Sequence, residues 1–215
     1  MKKLLLFCLT IFISSLLFAQ EVIDLGGIES IKIESVKKDE QFISAKIGTK
    51  EGFQLILSAK KTNGEERILA KIAHFSAYEK LCEDGKYYFS IDNHFLRKQI
   101  PDLTAELFVL DIKKGTINKV LDSLAFTVSN DGKYICYCEV PQKMKKENHE
   151  VSYWYIFDTK KKKSKTIIDK KQKNNWDVFI SIYDEDTQSF IFNIGYDDVV
   201  MDKISFNPYT MDFKK

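Results

Sequence analysis

The feature that most constrains this chain is a turn that recurs at a fixed interval. Asp84-Gly85-Lys86-Tyr87 and Asp131-Gly132-Lys133-Tyr134 lie 47 residues apart. Aromatic and β-branched runs follow them, Tyr87-Tyr88-Phe89-Ser90-Ile91 and Tyr134-Ile135-Cys136-Tyr137-Cys138. Asp-Gly between apolar runs predicts a hairpin, because glycine takes the positive φ that such a turn requires. A second element shares the offset. Leu107-Phe108-Val109-Leu110-Asp111, Lys113-Lys114-Gly115 and Val120-Leu121-Asp122 are echoed by Trp154-Tyr155-Ile156-Phe157-Asp158, the lysine run 160–163 and Ile167-Ile168-Asp169. A looser copy runs through Gln54-Leu55-Ile56-Leu57-Ser58, Gly64 and Ile68-Leu69, and weaker first turns stand at Asp39-Glu40-Gln41-Phe42 and at residues 186–190.

Self-similarity at this period predicts supersecondary units that bury their apolar faces by stacking. The fold class is therefore all-β, with four antiparallel strands per unit and no sustained helical period after the first twenty residues. The units fall at about 31–72, 74–123, 124–170 and 175–215, and strands of the third are expected at 124–129, 133–140, 152–159 and 164–169. Four-stranded repeats of this length are the pattern of β-propeller blades. Four of them predict a small ring or an open arc.

Ser129-Asn130-Asp131-Gly132-Lys133-Tyr134-Ile135, preceded by Leu107-Phe108-Val109-Leu110-Asp111, resembles the TolB-type β-propeller repeat. The similarity is best over residues 76–170. Asn130 stands where that repeat usually has proline, and Val128 where a tryptophan often precedes the serine. The resemblance implies a propeller scaffold of the kind that often serves protein–protein contact.

Residues 1–19 read as a signal peptide. Lys2 and Lys3 form a positive start, residues 4–18 an apolar core, and Ala19 a small residue at the expected cleavage point before Gln20. The apolar stretch is short for a spanning helix, so no membrane span is expected once it is cleaved, and the mature chain is expected in the periplasm or the medium. The whole chain carries 33 basic and 31 acidic residues. Removing Lys2 and Lys3 with the leader leaves 31 of each sign, so no global positive field would draw nucleic acid. Cys82, Cys136 and Cys138 remain, an odd number. Cys136 and Cys138 sit two apart on an expected strand, facing the same way, and are poorly placed to bridge each other. Buried free thiols are expected.

In a propeller, the loops between second and third strands share one face, and loops on a rigid scaffold are where binding residues usually lie. The expected loops at 92–102 and 141–150 together hold His94, Arg97, Lys98, Lys143, Lys145, Lys146 and His149. They are the candidate partner-binding residues, a basic rim suited to an acidic partner or a polyanionic glycan. The lysine run 160–163 takes the place of the Gly115 turn and reads as a solvated hairpin tip. His74 reads as a packed or capping residue, Trp154 and Trp176 as core or interface aromatics, and the late carboxylates Asp184, Glu185, Asp186, Asp197 and Asp198 as solvated turns. Three scattered histidines have no metal-ligand spacing. The sequence contains no Gly-x-Ser-x-Gly, His-Glu-x-x-His or phosphate-loop motif, so no cofactor and no catalysis are expected. The leading expectation is an exported, non-catalytic module that holds another envelope protein or associates with itself. Recognition of a glycan or small ligand, and an exported hydrolase with an unrecognised site, are the alternatives.

Overall fold

The apolar–polar alternation of the repeats folds into strands throughout. A computed structural model describes residues 21–92, 105–123, 125–139, 153–168, 177–196 and 199–214. In the first half run β1 (Val22–Ile23), β2 (Ser30–Lys32), β3 (Glu40–Thr49), β4 (Gly52–Lys61), β5 (Glu66–Leu81), β6 (Lys86–Asp92), β7 (Ala105–Asp111) and β8 (Thr116–Ser123). The second half supplies β9 (Ala125–Val128), β10 (Tyr134–Glu139), β11 (Tyr153–Asp158), β12 (Lys163–Ile168), β13 (Asp177–Asp184), β14 (Ser189–Tyr196), β15 (Val199–Asn207) and β16 (Asp212–Lys214). Among the described residues there is no helix. Strands β9 to β12 and β13 to β16 make two antiparallel four-stranded sheets, the third and fourth units.

Units one and two share one sheet, in the order β2-β8-β7-β6-β5-β4-β3, with β1 beside β5. The junction expected between residues 72 and 74 lies inside the sixteen-residue β5. Its first half pairs with β4 and its second half with β6. Between them His74 adopts φ 54° and the register slips from Phe75 to Glu79. A bent strand thus replaces a loop, because the bulge alone re-aims the chain.

Unit one differs in the segment that completes it, since β1 pairs parallel with the first half of β5. The segment near Ile31, expected as its first strand, pairs instead with the outer edge of unit two, Ile31 opposite Ile117. Burial explains the detour. Ile28, Ile31, Ile33 and Val36 pack against the core formed by Leu55, Leu57, Phe89, Phe108 and Ile117, and β2 covers the open hydrogen-bonding edge of β8. Unit two gains a fifth strand, and unit one consists of β3, β4, the first half of β5 and β1, which runs parallel to it.

The units stack through successive apolar cores. Phe42 of β3 meets the Tyr87 ring at 5.0 Å, joining units one and two. Tyr88 and Leu107 meet Phe126, Val128, Ile135 and Tyr137 between units two and three. Trp154, Cys136 and Ile156 meet Phe190, Phe192 and Phe206 between units three and four.

Candidate functional site

The repeated turns lock neighbouring units together at one end of the array. In unit two, Gly85 N–H donates to the Cys82 carbonyl at 3.0 Å and Lys86 N–H to the Asp84 carboxylate at 3.1 Å. In unit three, Gly132 N–H donates to the Ser129 carbonyl at 3.0 Å and Lys133 N–H to Asp131 at 3.0 Å. Both glycines hold positive φ, 77° and 70°. The second is further confined, since a Cβ on Gly132 would lie 3.0 Å from the Asp84 carboxylate. Glu83 N–H donates across the junction to the Asn130 carbonyl at 2.9 Å, and the Tyr88 hydroxyl to the Gly132 carbonyl at 3.3 Å. Burial would raise the Asp131 carboxyl, but hydrogen bonds from Lys133, Ser129 and Tyr209 outweigh it and hold the group down at about 2.

Glu79 and Lys80, consecutive on β5, tie unit two to both neighbours. Glu79 accepts from Lys46 at 2.8 Å, from Ser44 at 3.3 Å and from the Tyr87 hydroxyl. Lys80 donates to the Val128 carbonyl at 2.8 Å and to Asn130, and lies 5.2 Å from the centre of the Tyr183 ring. Alternation along a strand sends adjacent side chains to opposite faces, which is why one residue reaches unit one and the next reaches units three and four. Burial lowers the Lys80 ammonium from its ordinary range. Its carbonyl and amide partners engage it as a cross-unit clamp.

Cys82, Cys136 and Cys138 are free and buried, as expected. Burial pushes the Cys82 thiol up to about 12 and raises Cys136 as well, so both stay protonated at neutral pH and are poor nucleophiles. His74 sits at the β5 bend, its Nε2 3.9 Å from an Asp24 oxygen. Trp154 is buried against Phe192 at 5.5 Å. Asp184 closes its own turn, accepting from the Thr187 hydroxyl at 2.7 Å and from the Asp186 amide at 3.2 Å. Trp176, Asp197 and Asp198 lie outside the described residues.

The candidate rim residues His94, Arg97, Lys98, Lys143, Lys145, Lys146 and His149 also lie outside the described residues. The strands that carry their segments are described. Asp92 pairs with Ala105 where β6 gives way to β7, and Glu139 with Tyr153 where β10 gives way to β11. Both pairs close the ends of their hairpins opposite the interlocked Gly85 and Gly132 turns. The strand ends that flank the two segments therefore lie at the same end of adjacent units.

A wedge between units two and three carries no signal in the sequence. It has a volume of about 440 Å³ and is lined by Lys86, Lys119 and Lys162 together with Tyr88, Val109 and Phe157. Lys86 is paired with Asp84, and Lys119 with Glu106 and with Asp122 at 2.9 Å. Lys162 is exposed at the tip of the β11–β12 turn. Glu29, Asn118 and Thr159 line it as well, so the wedge presents both signs of charge beside apolar side chains and suits a small polar ligand. Glu29 aside, these residues come from β6, β7, β8, β11 and the β11–β12 turn, so no local motif could have grouped them.

Together these features define the class: an all-β, β-propeller-like array of antiparallel sheet units. Compared with known proteins, the sequence matches no family model and no curated protein. Solved structures resemble its fold. The tricorn protease gives a TM-score of 0.50 at 12% identity, over 83% of this chain and 21% of that one. The β-propeller domain of the Trilobed protease from Pyrococcus furiosus gives 0.44 at 11%, over 83% and 53%. Acylaminoacyl peptidase from Pyrococcus horikoshii gives 0.48 at 10%, over 90% and 33%. This chain spans about half or less of each of those chains, and identities this low speak to fold alone.

Proposed function

We propose that this protein is an exported, non-catalytic binding module of the cell envelope, a TolB-type propeller-like scaffold that holds a protein partner. The observation that supports the reading is the pair of strand ends at Asp92 and Glu139, which close hairpins of adjacent units on the side opposite the Gly85 and Gly132 turns, next to the basic segments of the sequence. Basic segments following neighbouring strand ends would share one surface toward an acidic partner. The Asp-Gly-Lys-Tyr turns support the TolB-type assignment, and the leader-like first nineteen residues support export to the periplasm or the medium. A cross-linked pull-down from the native envelope tests it, comparing the wild-type chain with Lys145→Glu/Lys146→Glu. A single stoichiometric partner lost in the double variant is the expected result. A partner retained at full yield removes the basic rim from the function.

The wedge favours a second reading, recognition of a glycan or other small polar ligand. Lys162→Glu should abolish binding of that ligand while leaving the protein partner in place. A glycan-binding assay on both proteins distinguishes the two readings.

A further inference from the structure

Units two, three and four each open with a strand that pairs with the one after the first turn. Glu79, Lys80 and Leu81 pair with β6, β9 with β10, and β13 with β14. Among the described residues, unit one lacks such a strand. Its own copy of the turn, Asp39-Glu40-Gln41-Phe42, leads into β3, so β3 holds the place of β6 and β10. The repeat puts the missing strand in the stretch from Ile31 to Val36, and that stretch is fixed elsewhere. Ile33 N–H donates to the Gly115 carbonyl at 2.8 Å, Val36 N–H to the Ile112 carbonyl at 3.2 Å, and Arg67 to the Ser35 carbonyl at 2.7 Å. β1 does not fill the gap. It pairs with Lys71 and Ile72, which also pair with Ile56 and Leu55 of β4, so β1 lies across β5 from β4 and β3.

The edge left beside β3 is long and regular. All ten of its residues, Glu40 to Thr49, pair with β4 without a register shift, whereas the pairings of β4 with β5 and of β7 with β8 are interrupted. The strand contains no proline, and its one lysine, Lys46, turns toward unit two to pair with Glu79 at 2.8 Å. Folded proteins ordinarily blunt such edges with bulges, prolines, outward lysines or short strands. Edges elsewhere carry these devices: β2 and β16 are three residues long, and β12 holds the exposed Lys163 and Lys165. Side chains divide by face along β3. Phe42, Ser44 and Lys46 face unit two, at the Tyr87 ring and at Glu79. Alternation turns Ile43, Ala45 and Ile47 to the other face, where Ile47 is 50% exposed.

We infer that the open edge of β3 receives an extended segment of a protein partner, which adds as the missing first strand of unit one. Alternate β3 residues hold their amide and carbonyl groups toward that side, and strand addition satisfies them in main-chain pairs. The position fixes the chemistry of the occupant. Proline is excluded, because the added strand must donate to β3. Every second side chain is apolar and β-branched, to lie beside Ile43 and Ile47. The side chains between them pass Lys46 and Glu79, which already neutralise each other, and are small and uncharged. The inference rests on the repeat and on β3, and is independent of the basic segments invoked for the proposed function.

Amide hydrogen exchange of the full chain tests it, with and without an eight-residue peptide of alternating threonine and valine. The peptide should slow exchange about tenfold at every second residue of β3 and leave β12 unchanged. The same peptide with prolines at its third and sixth positions should have no effect. Ala45→Lys/Ile47→Lys sets two charges beside the edge and should weaken binding about tenfold. Circular dichroism identifies a variant that fails to fold, and Ile47→Lys alone then takes its place. No protection of β3, equal protection by the proline peptide, or undiminished binding by the lysine variant would each overturn the assignment. Protection that is present without peptide and rises with protein concentration would give the edge to a second copy, and would overturn it as well. The Lys145→Glu/Lys146→Glu pull-down reads different residues, so failure of one proposal leaves the other standing.

Discussion

Units two and three carry the same turn pattern, yet their outer edges are finished differently. In unit two the turn between β7 and β8 ends on Gly115, φ 64°, whose N–H donates to the Asp111 carbonyl at 2.8 Å. In unit three the equivalent turn ends on Lys162, φ 53°, whose N–H donates to the Asp158 carbonyl at the same distance. The geometry is one; the residue requirement is not. Over Gly115 passes the chain that follows β2, and a Cβ there would lie 2.4 Å from the Ile33 carbonyl oxygen and 2.9 Å from the Ser35 nitrogen. Over Lys162 no such chain passes among the described residues, and its side chain is exposed. A turn therefore demands glycine for two separable reasons, its own dihedral and what lies on top of it, and only the second distinguishes these units.

The largest effect expected from this contrast is at Gly115. Gly115→Ala adds backbone collision to a left-handed φ and should cost about 3 kcal/mol in urea unfolding, whereas Lys162→Gly should stabilise by about 1 kcal/mol by removing the same dihedral cost. Equal and small effects at both sites would show that the covering chain yields freely.

Next comes acid. Arg67 donates to Glu40 at 2.7 Å and to the Ser35 carbonyl at 2.7 Å, and pairs with Glu34, so it pins the covering segment to unit one. The hydrogen bond from Arg67, and then that from the Lys37 amide, hold the Glu40 carboxyl at about 2, below its ordinary 4.5. A depressed carboxyl contributes stability that is complete above its unfolded value and is lost as pH falls through the folded one. Stability should thus decline between about pH 5 and pH 2, and Arg67→Met should flatten that decline. Urea midpoints measured across this range check it.

The smallest effect is dynamic. Lys119 N–H donates to the Glu29 carbonyl at 2.9 Å, and Ile33 N–H to the Gly115 carbonyl at 2.8 Å, so the edge of β8 is paired. β12 is the outermost strand of its sheet. Amide exchange should be about tenfold slower in β8 than at matched positions of β12. Equal rates would mean that β2 is laid on the edge without protecting it.

The 47-residue offset made much of this visible in the sequence. It located the strands of unit three to within a residue, and it set the lysine run 160–163 on the Gly115 turn, where Lys162 indeed sits. Periodicity reports local structure, and those features are local. The fifth strand of unit two was not legible, because Ser30 reaches Asn118 across 88 residues with a three-residue strand that carries no period of its own. The continuous β5 was missed for a related reason: a bulge and one positive φ at His74 leave no glycine or proline to mark them. The clamp at Lys80 and the wedge at Lys162 are assembled across units, where a single sequence offers no signal.

The attachment of β2 to β8 also sets an order of assembly. A chain that appears N-terminus first presents residues 30–32 early, but their strand partner among the described residues, 116–118, arrives much later. Contacts of such wide sequence separation form late, after the loop between them has been closed. The piece made first is therefore the piece fitted last, and until then the apolar residues at 28, 31, 33 and 36 remain in solvent. A chain stopped before residue 116 would hold its opening segment unlatched, which makes completion of the second unit the step that commits the first.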